Sequence, residues 1–186
     1  MSKMTLTEVV RKGLKLKKED RASMLGIGPM SKMLIKASIL LAKEKDFPLI
    51  FIASRNQVDA QELGGGYVCN WDQKGFSEAI KKVADEVGFD GLYYLCRDHG
   101  GPWQRDKERK DHLPEEEAMR LGKISYVYDL ENGFDLLHID PTKDPYVVGK
   151  VIDVNVVLRR TVELIEYVEK ERIARGLPEI SYEVGT

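Results

Sequence analysis

Five short apolar runs, separated by longer amphipathic segments, constrain the fold of this 186-residue chain more than any other feature. The runs are SMLGIG (23–28), LIFIAS (49–54), LYYLC (92–96), DLLHID (135–140) and ISYEVG (180–185). Each run is continuous rather than alternating in polarity, which is typical of strands covered on both faces of a parallel sheet. The sequence therefore predicts five parallel strands.

The segments between these runs have the apolar spacing of helices. The clearest of them cover residues 32–45, 74–88, 115–133 and 149–176. Pro114, followed by three glutamates, indicates a helix start, and Gly88, Gly133 and Gly176 stand where helices end. The alternating order predicts an α/β protein, with residues 1–186 as a single domain.

Two architectures have this order of elements: an open doubly wound sheet and part of a (β/α)8 TIM barrel. The doubly wound alternative is weakly supported, because Gly26 and Gly28 are followed by Ser31 where a third phosphate-loop glycine belongs. The visible strands are too few for a complete barrel, and the last one reaches Thr186. We therefore expect a partial barrel, truncated to about five βα units, that pairs with another copy or a missing half.

Charge and composition narrow the classes of partner. The chain has 29 basic and 31 acidic residues and a net charge of -2, which gives no case for binding nucleic acid or an anionic membrane. No apolar run approaches the roughly 20 residues of a bilayer span. Cys69 and Cys96 fit neither a metal motif nor a disulfide scaffold. The sequence predicts a cytoplasmic protein.

Hydrogen-bonding or ionisable side chains stand at four of the predicted strand ends. They are Asn56 and Gln57, Asp98 and His99, Asp140, and Glu183. Since the carboxyl ends of parallel strands converge on the ligand site in both architectures, these residues are expected to line one pocket.

Each of these residues also has a plainer interpretation. Asp98 and His99 fit a metal ligand with an acid/base partner, or a polar exit into a loop. His138 is more typical of a core histidine than of a ligand. Glu183 either meets a cation, a metal or a ligand hydroxyl, or lies on a frayed terminal strand.

Two loops rich in glycine or charge follow the second and third strands. Gly64–Gly66 permit close backbone approach to a ligand or a mobile lid, and equally suit a flexible connector. Trp103 and Arg105 are available to a sugar face or an anionic group. Alone, neither loop identifies a function.

Four motifs, read in order, resemble one known family. SRNQVDAQELGGGY, LCRDHGGPW, GFDLLHIDPTKD and SYEVGT occur in the order and at the approximate spacing of motifs in the tagatose-bisphosphate aldolase accessory-subunit family. Its members are described as non-catalytic subunits of class II aldolases and were once termed tagatose 6-phosphate kinases. The resemblance covers residues 49–186 and implies a TIM barrel.

The resemblance also implies roles for the residues at the strand ends. Class II aldolases use a divalent metal to polarise a sugar carbonyl, so a zinc, manganese or nickel cofactor is expected. His99 would ligate the metal, Asp98 would move a proton, and Glu183 is a possible further ligand. Asp140 would belong to the catalytic group, and Asn56 and Gln57 to the substrate site.

Arg97 departs from the family pattern, which tends to have glycine at this position. Because arginine pairs well with carboxylate or phosphate, we expect Arg97, together with Trp103, to contact substrate. This departure also allows a neighbouring branch that acts on sugar acids or sugar phosphates.

Three functional hypotheses remain open from the sequence. The chain is an accessory subunit that binds a ketose or sugar phosphate beside a class II catalytic subunit, in an oligomer. Alternatively it is an autonomous metal-dependent enzyme, either an epimerase or an aldolase, and an aldolase is a lyase. The third hypothesis is an inactive half-barrel fragment that works only as an assembly partner.

Overall fold

The computed structural model describes residues 3–21 and 23–185 of the chain. Its strands are β1 (Leu25–Ile27), β2 (Leu49–Ser54), β3 (Tyr93–Gly100), β4 (Leu136–Ile139) and β5 (Ser181–Val184). Its α-helices are α1 (Leu6–Leu14), α2 (Lys32–Lys45), α3 (Gln73–Val87), α4 (Asp106–Lys110), α5 (Glu115–Glu131) and α6 (Val154–Ala174). Two short 3-10 turns cover Lys18–Asp20 and Gln61–Leu63.

The strands form one parallel sheet in the order β1-β2-β3-β4-β5, so that each strand pairs with its successor in the chain. A doubly wound sheet would reverse its order at a switch point, which this sheet lacks within the described residues. Consecutive order with intervening helices is the arrangement of a (β/α)8 barrel. The predicted α/β fold class of the barrel type is confirmed.

Helices α2, α3, α5 and α6 pack against one face of the sheet and form the main hydrophobic core. The strand residues buried in this core include Leu49, Phe51, Leu95, Leu137 and Ile139. Fully burying an apolar side chain of this size contributes about 1.5–3 kcal/mol. Because alternate residues of a strand share a face, the burial of these side chains decides which face of each strand packs against the helices.

The opposite face of the sheet is covered at its amino end by α1. Leu6 is buried there against Tyr94 and Cys96, and the Tyr94 hydroxyl donates a hydrogen bond of 2.9 Å to the Met4 carbonyl. A capping box between Thr5 and the N3 glutamate begins this helix. Because α1 lies at the start of the strands, the carboxyl end of the same face stays open for polar side chains.

The structure differs from the sequence-based expectation around β3. This strand continues past residue 96 to Gly100, and the charged segment after it contains α4. Pro114 caps the start of α5, and Gly88 caps the end of α3 with a φ of 62°. The predicted helix boundaries at these two residues are confirmed.

Arg97 is fully buried on the helix-covered face, two residues after Leu95. Its Nε donates to a carboxylate oxygen of Asp129 on α5 at 2.8 Å. Its Nη1 donates to the carbonyls of Ala53 at 2.9 Å and Val58 at 2.8 Å. One side chain thus joins β3, the end of β2, the following loop and α5.

Asp59 is a second buried charge in the same interior. Burial alone would raise the pKa of Asp59, but the guanidinium groups of Arg55, Arg97 and Arg105 and a hydrogen bond from Ser125 outweigh it and hold the pKa below 3.8. The Ser125 hydroxyl donates to the Asp59 carboxylate at 2.8 Å. This carboxylate is therefore ionised inside the protein.

The buried charges connect the loops that follow β2 and β3. Arg55 donates to Asp59 at 3.1 Å, to the Gly101 carbonyl at 2.9 Å and to Glu108 of α4 at 3.1 Å. Arg105 donates to the Arg55 carbonyl at 3.0 Å and to the Gly65 carbonyl at 2.8 Å. The position of each loop consequently depends on the other.

Within the part of the chain that the structure describes, no helix combines the length and apolar character that a bilayer crossing requires. Cys69 is exposed and Cys96 is buried in the sheet, and both are free thiols.

Replacing Arg97 with Met should lower the free energy of unfolding by about 3–5 kcal/mol, because Asp129 is left as an unpaired buried charge. The double variant Arg97→Met, Asp129→Leu should recover much of this loss. Urea unfolding measures the stability of the single and the double variant. Arg120→Ala is the control, and it should change the stability little because it removes only an exposed ion pair with Glu117. An Arg97→Met protein as stable as the parent would contradict the role of this pair.

Replacing Asp59 with Asn should destabilise the protein most at neutral pH. A carboxyl whose folded pKa is lowered contributes stability above its ordinary pKa of 3.8, and this contribution is lost as the pH falls through the folded value. The difference in unfolding free energy between the parent and Asp59→Asn should therefore shrink below about pH 4. Urea unfolding at pH 7 and pH 3 tests this, and a difference that does not change with pH would contradict it.

Candidate functional site

A β-bulge at the end of β3 brings Asp98 and His99 to the same side of the sheet. Alternation along β3 places Asp98 on the open face with Cys96, and would turn His99 toward the helices. Instead the pairing with β4 shifts between Arg97 and Gly100, and His99 has a φ of 45°. Such backbone is uncommon for a non-glycine residue and recurs beside functional sites.

Asp140 holds the ring of His99 from the end of β4. The His99 Nδ1 and a carboxylate oxygen of Asp140 are 2.6 Å apart. Burial opposes ionisation of Asp140, but hydrogen bonds from the Thr142 side chain and backbone and from His99 outweigh it, so the pKa of Asp140 lies below its ordinary value. An ionised Asp140 accepts the Nδ1 proton and leaves the His99 Nε2 as the free ring nitrogen.

His138 lies beside His99, with 4.6 Å between the ring centroids. Its side chain is only 9% exposed, and its Nε2 has no hydrogen-bond partner among the described residues. Asp98, His99 and His138 each offer a ligand atom, and these atoms lie within 4.8 Å of one another. His138, which the sequence suggested was a core histidine, is therefore part of the cluster.

Glu183 lies at the margin of this cluster, on the edge strand β5. Its carboxylate is 3.8 Å from the His138 Nδ1, and its side chain is 60% exposed. Because the Glu183 carboxylate is largely exposed to solvent, it does not have the free-energy cost of an unpaired buried charge that the sequence suggested. Thr186, which ends the SYEVGT motif, lies outside the described residues.

One cavity touches the cluster through His99 at the carboxyl ends of β2, β3 and β4, and a second cavity lies beside the first. The smaller one, of about 190 Å³, is lined by Ser54, Asn56, His99, Gln104, Arg109 and Lys143. The larger one, of about 480 Å³, is lined by Ser54, Asn56, Gly64, Gly65, Gly66, Tyr67, Arg105 and Asp106. Because Ser54 and Asn56 line both, the two cavities are neighbours.

Asn56 and Gln57 occupy different places at the end of β2. The Asn56 amide exchanges two hydrogen bonds with Asp106, at 3.3 and 3.2 Å, and lines both cavities. The Gln57 side-chain Oε1 accepts from the Ser54 backbone N–H at 2.9 Å, and its Nε2 contacts the Met30 sulfur at 3.1 Å. Asn56 is thus the better placed of the two for a ligand.

The three consecutive glycines do not form a phosphate cradle. The backbone N–H groups of Gly64, Gly65 and Gly66 donate to the carbonyls of Gln61, Ala60 and Trp71. A Cβ on Gly66 would come within 2.1 Å of the Gln57 carbonyl oxygen, so the close approach there is to the protein's own backbone. Glycine is required by the path of the loop.

Arg97 and Trp103 lie in the interior rather than at the rim where the sequence suggested them, and their expected position is corrected. Trp103 is fully buried, its indole N–H donates to the Leu113 carbonyl at 2.8 Å, and the Arg160 guanidinium lies 4.8 Å from its ring. The Arg97 donors serve Asp129 and backbone carbonyls. Neither side chain reaches the two cavities.

Four residues of the smaller cavity were not singled out in the sequence, and the first of them, Ser54, ends β2. Gln104 and Arg109 follow β3, and Lys143 follows β4. The available signal was their position in charged loops after strands, since such loops carry ligand contacts in barrels. Polar composition alone did not distinguish them from solvated residues.

The donor set of the cluster fits a divalent transition metal. Two imidazoles and one carboxylate suit zinc or nickel better than calcium or magnesium. The carboxylate-held ring of His99, whose Nε2 lies 3.7 Å from the Asp98 carboxylate, supports this fit. The buried His138 Nε2 has no partner among the described residues, while its Nδ1 accepts from the His99 backbone N–H at 3.4 Å. Asp98 and His99 remain 40% exposed and accessible to a small molecule.

The chain was compared with protein families and with known proteins. A family model described as D-tagatose-1,6-bisphosphate aldolase subunit GatZ/KbaZ-like matches residues 8–186. A probable tagatose 6 phosphate kinase from Sinorhizobium meliloti 1021 has a similar structure, with a TM-score of 0.73 and 23% sequence identity. The match covers 89% of this chain and 39% of that one, and at this identity it concerns the fold. No curated protein matches the chain.

The family match extends the resemblance seen in the four motifs toward the amino terminus, and it supports a place in carbohydrate metabolism. The chain belongs to the family of D-tagatose-1,6-bisphosphate aldolase subunits of the GatZ/KbaZ-like type.

Proposed function

We propose that this chain binds a ketose or a ketose phosphate at the carboxyl ends of its strands, as the sugar-binding subunit of a class II tagatose-bisphosphate aldolase assembly. The observation that carries the proposal is the convergence of ligand atoms from Asp98, His99 and His138 within 4.8 Å, where His99 lines a small cavity that neighbours a larger one. These cavities lie where ligands bind in barrel proteins.

Asp98, His99 and His138 would hold a divalent metal in this proposal, with Glu183 close enough to assist at the margin. A bound metal would supply a Lewis acid that polarises a sugar carbonyl. Asp140 keeps the His99 ring in one orientation by accepting its Nδ1 proton. Mutations of such carboxylate partners typically weaken metal binding about 10- to 100-fold.

The remaining polar groups suit the hydroxyls of a sugar. Ser54 and Asn56 line both cavities and offer a hydroxyl and an amide. Gln104 is fixed by donating to the Asp140 carbonyl at 2.8 Å, so its position is coupled to the carboxylate that holds His99. Groups held in this way bind a ligand with little loss of side-chain freedom.

Association with a catalytic subunit is supported by the family and by the surface of the chain. The family name describes a subunit of an aldolase. Apolar side chains are exposed on the helices that connect to the two edge strands, among them Leu34, Leu40 and Leu41 of α2 and Val154, Leu158 and Val162 of α6. Exposed apolar side chains support a protein contact where they form a continuous patch.

An autonomous metal-dependent epimerase or aldolase is the second candidate. The observation that favours it is the half-exposed Asp98 carboxylate, 3.7 Å from the His99 Nε2. A carboxylate at this place could accept a proton from a sugar bound at the cluster. In this candidate Asp98 is a base rather than a ligand, so the metal would be held by the two histidines with Glu183. The two candidates also differ in whether the chain turns over substrate alone.

The metal site predicts that His138→Ala loses Mn²⁺ or Zn²⁺ binding, because the variant removes one of the three donors. Asp140→Asn should weaken binding by about 10- to 100-fold, because the His99 ring loses its carboxylate partner. Isothermal titration calorimetry measures both affinities. His112→Ala, which removes the exposed third histidine of the chain, is the matched control and should bind as the parent does. Equal affinities of the His138 and His112 variants would contradict the site.

The accessory role predicts no aldol cleavage of tagatose 1,6-bisphosphate by this chain alone with Mn²⁺ or Zn²⁺, and an increase in the activity or stability of a class II catalytic subunit on mixing. A coupled assay of triose phosphate release measures the activity. Turnover by the chain alone, lost in His99→Ala, would favour the autonomous enzyme. A protein that binds neither metal nor sugar but joins the catalytic subunit would contradict the sugar-binding proposal.

A further inference from the structure

We propose that a groove beside α1 binds an acidic amphipathic helix of a partner protein, at the end of the sheet opposite the candidate site. The groove has a volume of about 530 Å³ and lies between α1, the segment after it, and the amino ends of β1 and β2. Its lining residues are mostly apolar, and the segment that borders it is cationic. The inference does not depend on the sugar or the metal of the proposed function.

The apolar stripe of α1 is longer than the sheet surface that covers it. Leu6, Val10 and Leu14 recur at intervals of four residues and therefore share one side of the helix. Leu6 is 5% exposed against the sheet, whereas Val10 is 48% exposed and Leu14 is 58% exposed. The fold thus buries only the first turn of this stripe, and its later turns line the groove without being covered.

The residues that lead into β1 and β2 form the second side of the groove. Met24, Phe47, Pro48 and Ile50 line it there. Met24 and Ile50 also pack against the small cluster around Leu6, and Phe47 packs against the main core. Because these side chains are anchored in the fold, the groove exists before a partner arrives, which lowers the entropic cost of binding.

The segment that borders the groove carries unpaired positive charge. Residues 11–21 contain six cationic side chains and only two carboxylates, although the whole chain has a net charge of -2. The six are Arg11, Lys12, Lys15, Lys17, Lys18 and Arg21. None of them forms an ion pair with another residue that the structure describes. A partner that carries carboxylates beside an apolar stripe therefore complements this surface.

Arg21 joins the cationic segment to the groove itself. Its guanidinium donates to the Leu14 carbonyl at 2.8 Å and to the Leu16 carbonyl at 3.1 Å, and the residue lines the groove beside Asp20. These bonds hold the chain after α1 against the end of the helix. The position of the cationic segment relative to the apolar lining is consequently fixed by the fold.

The shape of this surface favours a protein helix over other anionic partners. A bilayer meets the apolar side of a helix that lies flat on it, whereas the apolar residues here line a concavity. Nucleic acid would pair with the cations but would leave the apolar lining without a partner, since its interfaces are strongly polar. A helix with apolar residues at i, i+3, i+4 and i+7 fills such a groove, and glutamates on its flanks meet the lysines.

Fluorescence anisotropy of the whole chain with a labelled peptide tests the proposal. The probe is an amphipathic peptide of about 18 residues, long enough to form a helix, with leucine on one face and glutamate on the other. The parent should bind it, and added salt should weaken the binding because exposed charges are screened. Leu14→Glu, and separately the pair Lys15→Glu and Lys18→Glu, should each weaken binding by about tenfold or more.

Two matched variants control for a change of charge or polarity elsewhere. Val151→Glu and Lys81→Glu alter exposed residues outside the groove, so both should bind the peptide as the parent does. The same peptide with lysine in place of glutamate should bind more weakly than the acidic one. Because Leu14, Lys15 and Lys18 are exposed, their replacement leaves the core intact, and urea unfolding checks this.

No binding of the acidic peptide, or equal affinity in the parent and Leu14→Glu, would overturn the proposal. Equal binding of the lysine peptide would overturn it as well. A dimer in sedimentation that is lost in Leu14→Glu, without peptide binding, would assign the groove to a second copy of the chain instead. Binding to phosphatidylserine vesicles but not to the peptide, lost in the lysine variant, would assign the segment to a membrane surface and overturn the proposal.

Discussion

The buried pairing of Arg97 with Asp129 is the interaction on which the rest of this structure depends. It places a charge inside a sheet-and-helix interface, where an unpaired ion would cost several kcal/mol. The Arg97 Nη1 donates to the carbonyls of Ala53 on β2 and Val58 in the loop after it. The same interior contains Asp59, whose carboxylate is shared among arginines of the adjacent loops. Charge satisfaction therefore fixes the loops at the carboxyl edge of the sheet more firmly than apolar packing alone would.

The site uses the edge that this network holds in place. With the end of β3 fixed by Arg97, the bulge that follows turns His99 back beside Asp98 instead of toward the helices. Asp140 then receives the His99 ring, and His138 lies against it. A positive φ at a non-glycine residue costs free energy, and it persists here because neighbouring contacts determine the backbone on both sides. The strained residue, His99, contacts Asp140, Asp98 and His138.

The sequence was sufficient for the strands but only partly for the site. Continuous apolar runs predicted the five strands, and their polar ends predicted where Asp98, His99 and Asp140 would meet. Alternation from Leu95 could also have placed Arg97 among the helices, since residues two apart share a face of a strand. Gly100, Gly101 and Pro102 signal a turn after His99, but they do not show that a positive φ falls on His99 itself. The burial of Trp103 depends on contacts distant in sequence. Neither can be read from local pattern, because both arise from tertiary packing.

The central claim is that two of the three histidines, His99 and His138, share a metal site that faces the sugar. Histidine-selective NMR of the isotopically labelled protein tests it most directly, because the chain has only three imidazoles to assign. In the isolated chain, with no partner protein present, substoichiometric Mn²⁺ should broaden the ring signals of His99 and His138 and leave those of His112 sharp. Broadening of His112 alone, or equal broadening of all three rings, would contradict the site.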